Sequence, residues 1–294
     1  MAARKAREFP ARRRPGFWVR LCALTLHPLD GLLFKLRWDG VEHVPKTGGA
    51  LLVANHVSYF DPVTFVRFVW DAGRIPRILV KSGLFAHPIV GPVVRGARQI
   101  PVERNSAAAK DSLTAAAQAL RDGEAVCIYP EGTVTRDPDW WPMRSRTGVA
   151  RLALSTDAPV IPIAQWGPQF FYDKYNHRFR PAPRKTVRTV AGPAVDLSAY
   201  RGQEITKDLL REVTDVIMGA VRDLLAEIRN EPAPAEFWEP PADTTAAARA
   251  SESAAGAAEA DSAQASEPAP SLAETDSARN DPASGSARVN DEGS

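Results

Sequence analysis

His56 and Asp61 are separated by four residues in the segment Asn-His-Val-Ser-Tyr-Phe-Asp-Pro, which covers residues 55–62. This spacing can let the Asp61 carboxylate accept a hydrogen bond from one imidazole nitrogen while the other nitrogen faces a substrate. The carboxylate then fixes the tautomer and stabilises the imidazolium that forms when the base takes a proton. The pair can therefore activate an alcohol for attack, although a turn histidine followed by a helix N-cap would give the same pattern.

Strands and helices alternate along the chain around this segment. Residues 50–54 (Ala-Leu-Leu-Val-Ala) have the continuous apolar character of a buried strand, and Asp61-Pro62 opens a helix. Further strands are predicted at 77–80, 99–102, 125–129, 159–163 and 186–190, and further helices at 105–122, 147–156 and 204–229. This order predicts an α/β fold with a mixed, largely parallel sheet flanked by helices. The polar segments after the first and fourth of these strands are expected to face one site, because ligands gather at the carboxyl ends of strands.

The amino-terminal 37 residues are predicted to form a basic arm and an interfacial amphipathic helix at a membrane surface. Six Lys and Arg residues precede an apolar stretch over residues 17–38, which Trp18 and Trp38 bracket. Polar residues break the stretch too often for a spanning helix; they are Arg20, His27, Asp30 and Lys35. The break at His27-Pro28 also argues against an export signal. An ordinary amphipathic core helix is the alternative.

The composition changes after residue 230. Residues 231–294 are dominated by Ala, Ser, Pro, Glu and Asp and carry a net charge of −10, which leaves +12 on residues 1–230. We therefore predict a folded domain over residues 38–230 and a disordered acidic tail over 231–294. Cys22 and Cys127 lack paired spacing, which favours a reducing compartment. Together with the basic body, this predicts a peripheral or monotopic protein on the cytoplasmic face of the cell membrane.

A second polar block, Tyr-Pro-Glu-Gly-Thr, covers residues 129–133. Between it and the His56 block lies a basic and apolar stretch that starts at Val80-Lys81 and ends with Ile-Pro-Val-Glu-Arg at 100–104, and Ala-Pro-Val-Ile-Pro-Ile follows at 158–163. In these four ordered blocks the chain resembles the glycerolipid acyltransferase family, whose best-known members make phosphatidic acid from lysophosphatidic acid. The resemblance runs from about residue 38 to residue 190.

The resemblance implies a role for each matching residue. His56 would be the base and Asp61 its orienting partner. Glu131, Gly132 and Thr133 would shape the acceptor site, and Gly132 allows close approach of the backbone. The cations Lys81 and Arg104 would hold the phosphate of the acceptor, because a phosphate dianion removed from water needs charged donors.

Two positions depart from the family pattern. Val134 stands where the family usually has Arg after Glu-Gly-Thr, and the nearest cation in sequence is Arg136. Arg136 can replace the missing arginine, or the phosphate can rest on Lys81, Arg104 and Arg146 instead. Gly83 stands where the second block usually has Glu. Both departures bear on the identity of the acceptor more than on acyl transfer.

The implied reaction transfers an acyl group from a coenzyme A or acyl carrier protein thioester to a lysophospholipid, with 1-acylglycerol 3-phosphate as the expected acceptor. The resemblance implies no bound cofactor. No metal is expected, because the histidines outside the His56 block lack partners at metal-ligand spacing. Nucleic-acid binding is not expected either. The alternatives are a different acceptor such as glycerol 3-phosphate, a hydrolase with Ser58 as nucleophile, or a non-catalytic membrane adaptor.

Overall fold

The computed structural model describes residues 15–103 and 108–239. The elements in these ranges, in chain order, are α1 (Phe17–Leu33), β1 (Phe34–Asp39), β2 (Ala50–Ala54), α2 (Asp61–Asp71), β3 (Pro76–Lys81), α3 (Gly83–Ala86), α4 (Val90–Gly96), β4 (Ile100–Val102), α5 (Ala108–Arg121), β5 (Ala125–Ile128), α6 (Gly148–Leu154), β6 (Val160–Trp166), α7 (Pro168–Phe171), β7 (Tyr172–Asp173), β8 (Arg178–Phe179), β9 (Lys185–Ala191) and α8 (Lys207–Arg229).

The main sheet has seven strands in the order β1-β9-β6-β2-β5-β3-β4. The five strands from β6 to β4 are parallel to one another, whereas β9 is antiparallel to β6 and β1 is parallel to β9. In the register of the central strands, Leu52 lies opposite Cys127 on one side and Ile161 on the other. The prediction of a mixed, largely parallel sheet flanked by helices is confirmed.

The central strand β2 divides the core into two layers. Its odd-numbered residues, Leu51 and Val53, pack with buried side chains of α5, α6 and α8. Its even-numbered residue Leu52, with the flanking alanines, packs on the other face against α2, including Phe65 and Phe68. All five residues of β2 are buried, which is the burial expected of a parallel strand that helices cover on both faces.

The carboxyl end of β2 leads into residues 55–60 and the carboxyl end of β5 into residues 129–135. Because β2 and β5 are neighbouring parallel strands, both polar segments leave the sheet at the same edge. Asp61 is the first residue of α2, and Pro62 follows it at a position where its missing N–H costs no helical hydrogen bond. The fold therefore brings together the two segments that the sequence singled out.

The boundary predicted between the arm and the domain at residue 37 is wrong. Helix α1 ends at Leu33, and the residues after it form the edge strand β1. In this strand Phe34 is buried while Lys35 and Arg37 are exposed, so the stretch has the alternation of a half-buried strand and not the period of a helix. The first part of the apolar segment is helical as predicted, and the first strand of the sheet begins at Phe34.

Helix α1 has one side against the domain and apolar side chains on its exposed surface. It packs on α2 and α4, where the Trp18 ring occupies the space beside Gly96. Phe17, Leu24 and Leu32 are exposed on the same helix. Among the residues that the structure describes, no helix is long and apolar enough to cross a membrane. An interfacial role of α1 stays a prediction.

The predicted start of the tail at residue 231 is also wrong. The N–H of Arg144 donates to the Trp238 carbonyl over 2.9 Å, Met143 and Trp238 form a parallel β-bridge, and Phe237 packs against the core. The aromatic side chains of Phe237 and Trp238 explain this attachment, because they provide apolar surface that can be buried. The rest of the acidic segment has no aromatic side chains. Residues 240–294 lie outside the described ranges, so their disorder stays a prediction.

Candidate active site

His56 and Asp61 meet at the carboxyl end of β2. Nδ1 of His56 lies 3.0 Å from Oδ2 of Asp61 and 2.9 Å from Oδ1. The backbone N–H groups of Val57 and Ser58 donate to the same Oδ2 over 2.6 and 2.9 Å. Because these donors converge on a fully buried carboxylate, Asp61 is fixed in position and assigns the imidazole proton to Nδ1. Nε2 is then the nitrogen that can accept a proton.

The backbone of His56 is held from the segment after β5. Its N–H donates to Oε1 of Glu131 over 2.8 Å, and its carbonyl accepts from the N–H of Thr135 over 2.7 Å. The imidazole stacks on Tyr129, with 4.4 Å between ring centroids and 26° between the planes. The side chain is 12% exposed. The imidazole is therefore constrained at one face and at Nδ1, and two hydrogen bonds hold the His56 backbone. The side chain nevertheless stays partly accessible.

A buried polar network supports this arrangement, and the sequence reasoning missed most of it. Asn55 and Gln165 exchange two hydrogen bonds of 3.0 and 2.8 Å, which join the ends of β2 and β6. The Gln165 side chain accepts from Thr64 Oγ1 and donates to the Tyr129 hydroxyl, each over 3.1 Å. Burial raises the pKa of Tyr129 well above its ordinary value, so the phenol stays neutral. The available signal was a glutamine inside an otherwise apolar strand.

Glu131 accepts hydrogen bonds from two backbone N–H groups that the sequence did not indicate. Its Oε1 accepts from the N–H of His56 and its Oε2 from the N–H of Met143 over 3.1 Å. The side chain is 4% exposed, and burial raises its pKa to about 8 against the opposing effect of these two donors. Glu131 thus holds the backbone of His56 in position. A direct contact with the acceptor stays a prediction.

Gly132 and Thr133 form the turn between the two residues that hold the His56 backbone. Gly132 has a φ of 74°, which favours glycine, and a Cβ placed there would lie 3.3 Å from Nε of the exposed Arg146. Thr133 Oγ1 lies 3.4 Å from Nζ of Lys174, a residue that the sequence reasoning did not select. Two cations from distant parts of the chain therefore reach this turn.

The remaining predicted cations have different positions. Arg136 is half-buried and follows Thr135, so its backbone lies beside the His56 loop. Lys81 is the last residue of β3, with an exposed side chain, and β3 is separated from β2 by β5. Arg104 lies outside the described residues. The structure thus brings His56, Asp61 and residues 131–133 together, whereas phosphate binding by the three cations stays a prediction.

Metal coordination is not built into the described part of the chain. No group of three or more His, Cys, Asp and Glu side chains in residues 15–103 and 108–239 is arranged to hold a metal ion. Both cysteines are free, with Cys127 buried in the sheet and Cys22 partly buried on α1. The titratable groups that the structure brings together at the site include His56, Asp61 and Glu131.

The range that contains most of this site, residues 35–166, matches the family model described as Acyltransferase. The matched range includes β2, β5 and both polar segments, and it confirms the resemblance that the four blocks indicated. The structural comparison shows a shared fold. A crystal structure of the 1-acyl-sn-glycerophosphate acyltransferase PlsC from Thermotoga maritima superimposes with a TM-score of 0.53 at 22% identity, over 71% of this chain and 80% of that one.

Two relatives are similar to this chain over part of its length. A 1-acyl-sn-glycerol-3-phosphate acyltransferase of Limnanthes douglasii is 28% identical over 58% of this chain and 60% of its own length. An uncharacterized protein of Mycobacterium leprae is 34% identical over 47% of this chain and 38% of its own length. The matched regions therefore span 60% or less of these two relatives.

Proposed function

We propose that this protein transfers an acyl group from a thioester to the hydroxyl of a lysophospholipid, with 1-acylglycerol 3-phosphate as the preferred acceptor and phosphatidic acid as the product. The observation that carries the proposal is the His56–Asp61 pair, with Nδ1 held by a buried carboxylate and Nε2 left for a substrate. The named relative from Limnanthes douglasii supports the choice of acceptor. The donor is a thioester of coenzyme A or of acyl carrier protein.

The reaction follows from the position of the base. Nε2 of His56 removes the proton of the acceptor hydroxyl as its oxygen attacks the thioester carbonyl, and Asp61 stabilises the imidazolium that results. The tetrahedral intermediate collapses to an ester, and the thiolate leaves and takes the proton back from the imidazolium. Tyr129 and the two hydrogen bonds to the His56 backbone keep the ring in position, so little reorganisation is needed at each step.

Ester hydrolysis through Ser58 is disfavoured by the contacts of its hydroxyl. Ser58 is fully buried, and its Oγ donates to the carbonyl of Tyr172 over 2.8 Å. Its N–H is bound to Asp61, so the residue belongs to the loop that supports the carboxylate. A serine nucleophile needs its hydroxyl proton directed at the base, and this one is directed at a backbone carbonyl.

We also propose that the protein acts at the cytoplasmic face of the cell membrane, on a surface that contains anionic lipid. Exposed apolar side chains on α1 and the net charge of +12 on residues 1–230 support this proposal. Flotation with vesicles of neutral or anionic lipid tests it. Recovery only with anionic vesicles is expected, and equal recovery with both would contradict the charge argument.

The experiment that tests the catalytic proposal is a mass-spectrometric assay of the purified full chain. Acyl-CoA and acyl carrier protein thioesters are each offered with 1-acylglycerol 3-phosphate, glycerol 3-phosphate and other lysophospholipids. We expect phosphatidic acid to form fastest. Faster acylation of glycerol 3-phosphate would reassign the acceptor. Vesicle binding without consumption of any thioester would favour a membrane adaptor.

A further inference from the structure

Lys174 lies in a hairpin that is hydrogen-bonded to the segment between His56 and Asp61. The hairpin consists of β7 and β8, which pair as Tyr172 with Phe179 and Asp173 with Arg178. Ser58, which lies between His56 and Asp61 in the same segment, donates to the Tyr172 carbonyl. The Nζ of Lys174 reaches the turn after β5, where it lies 3.4 Å from Thr133 Oγ1. A lysine that is 118 residues from His56 in sequence is thus placed beside the segment that holds it.

Aromatic rings fix the position of this ammonium group. Nζ lies 4.8 Å from the centre of the Tyr59 ring and 5.1 Å from that of Tyr175. The Tyr175 hydroxyl donates to the Val134 carbonyl over 2.8 Å, and Tyr59 stacks on Tyr172. The lysine side chain is therefore held over the turn before any ligand binds, which lowers the entropy cost of binding.

The partners of Lys174 are all neutral. In the part of the chain that the structure describes, no carboxylate forms an ion pair with it. The adjacent Asp173 carboxylate instead accepts hydrogen bonds from Tyr175 and Asn176 within the hairpin turn. A half-buried ammonium with a hydroxyl and two ring faces as its neighbours can gain a charge-assisted contact from an anionic ligand.

We propose that Lys174 binds the phosphate of the acyl acceptor and so determines the preference for a phosphorylated acceptor, an inference that rests on the proposed acyl transfer. Val134, which replaces the arginine usual in the family, is 2% exposed and packs inward. Lys174, which lies later in the chain and contacts Thr133, supplies the cation that position 134 lacks. Arg146 adds a second cation beside Gly132 of the same turn.

The distance along the substrate favours the acceptor over the donor as the source of this phosphate. In 1-acylglycerol 3-phosphate, only one carbon and an ester oxygen separate the phosphorus from the carbon that carries the reacting hydroxyl. In acyl-CoA, the whole pantetheine arm separates the phosphates from the thioester. Thr133 is two residues from Thr135, whose N–H holds the His56 carbonyl. A cation at Thr133 is therefore suited to a phosphate close to the base.

The test compares Lys174→Gln and Lys174→Arg with wild type and with Lys207→Gln, a matched control on the exposed first residue of α8. Each protein acylates 1-acylglycerol 3-phosphate and, in parallel, 1-acylglycerol, which lacks the phosphate. For Lys174→Gln we expect KM for the phosphorylated acceptor to rise on the order of 10- to 100-fold with kcat little changed. KM for 1-acylglycerol should stay as in wild type, and Lys174→Arg should recover most of the loss.

Equal increases of KM for both acceptors, or a fall in kcat with unchanged KM, would overturn the assignment in favour of a structural role. An increase confined to KM for acyl-CoA would assign Lys174 to the donor and overturn it as well. Calorimetric titration with glycerol 3-phosphate gives an independent answer. If wild type transfers no acyl group, the proposed function fails, but the titration still tests the phosphate contact. Weaker binding of glycerol 3-phosphate by Lys174→Gln than by wild type supports that contact, and equal binding refutes it.

Discussion

Replacement of Asp61 by Asn removes the charge behind the base while it conserves the shape of the side chain. In the wild-type protein the N–H groups of Val57 and Ser58 donate to Oδ2 of Asp61 over 2.6 and 2.9 Å. The single amide oxygen of Asn can still accept from both groups. The amide NH₂ is then directed at the imidazole, so Nδ1 becomes the acceptor and the proton moves to Nε2. A protonated Nε2 cannot remove a proton from the acceptor.

The size of the effect follows from the charge pair that forms during the reaction. An imidazolium and a carboxylate with charge centres about 4 Å apart gain about 4 kcal/mol at an effective dielectric constant near 20. Together with the wrong tautomer, this loss predicts a kcat lower by about 10³- to 10⁴-fold. Binding of the acceptor should change little, since Asp61 is fully buried behind the histidine.

Steady-state rates for wild type, Asp61→Asn and the exposed control Asp157→Asn measure this effect, and thermal unfolding verifies that each protein is folded. We expect the control to match wild type and Asp61→Asn to lose rate without a comparable rise in KM for the acceptor. If folded Asp61→Asn retains a kcat within about 10-fold of wild type, the assignment of Asp61 as the partner of a catalytic histidine is refuted.

Three further predictions concern the support of the site. Because the pKa of Glu131 is raised to about 8, the folded chain keeps a proton that the unfolded chain loses, so this group lowers stability as pH rises from about 5 to 8. Urea unfolding at several pH values should show the stability of wild type falling relative to that of Glu131→Gln over that range, whereas a constant difference would contradict the raised pKa. Ser58→Ala should lose about 1 kcal/mol of stability with its bond to Tyr172 but keep turnover; loss of turnover with an intact fold would revive a serine nucleophile. A chain ending at 239 should melt like the full chain, whereas one ending at 230 loses the Trp238 bridge and should be about 1–3 kcal/mol less stable; equal stability of the two would contradict the attachment.

Sequence patterns were sufficient where a signal is local. The apolar run of β2 and the Asp61-Pro62 start of α2 fix the loop that carries His56, and the structure has both as predicted. Helix α8 begins after Thr206, whose side chain accepts from the N–H of Leu209, and its apolar positions recur at helical spacing. These features depend on neighbouring residues, so one sequence reveals them.

Other features depend on contacts between distant residues. The alternation of β1 was hidden because its apolar residues continue those of α1, and only pairing with β9 identifies it as a strand. Lys174 belongs to a short hairpin with no periodic pattern, and its proximity to Thr133 arises from the fold. The backbone contacts of Glu131 could not be predicted for the same reason, since its partners lie at residues 56 and 143.

The catalytic role of His56 is tested by the rate of acyl transfer to 1-acylglycerol 3-phosphate by His56→Ala, compared with wild type and with His43→Ala, which changes an exposed histidine. We predict that phosphatidic acid forms with wild type and His43→Ala and that His56→Ala is nearly inactive, with unchanged thermal unfolding and vesicle binding. Substantial turnover by folded His56→Ala would contradict the assignment of His56 as the base that activates the acceptor hydroxyl.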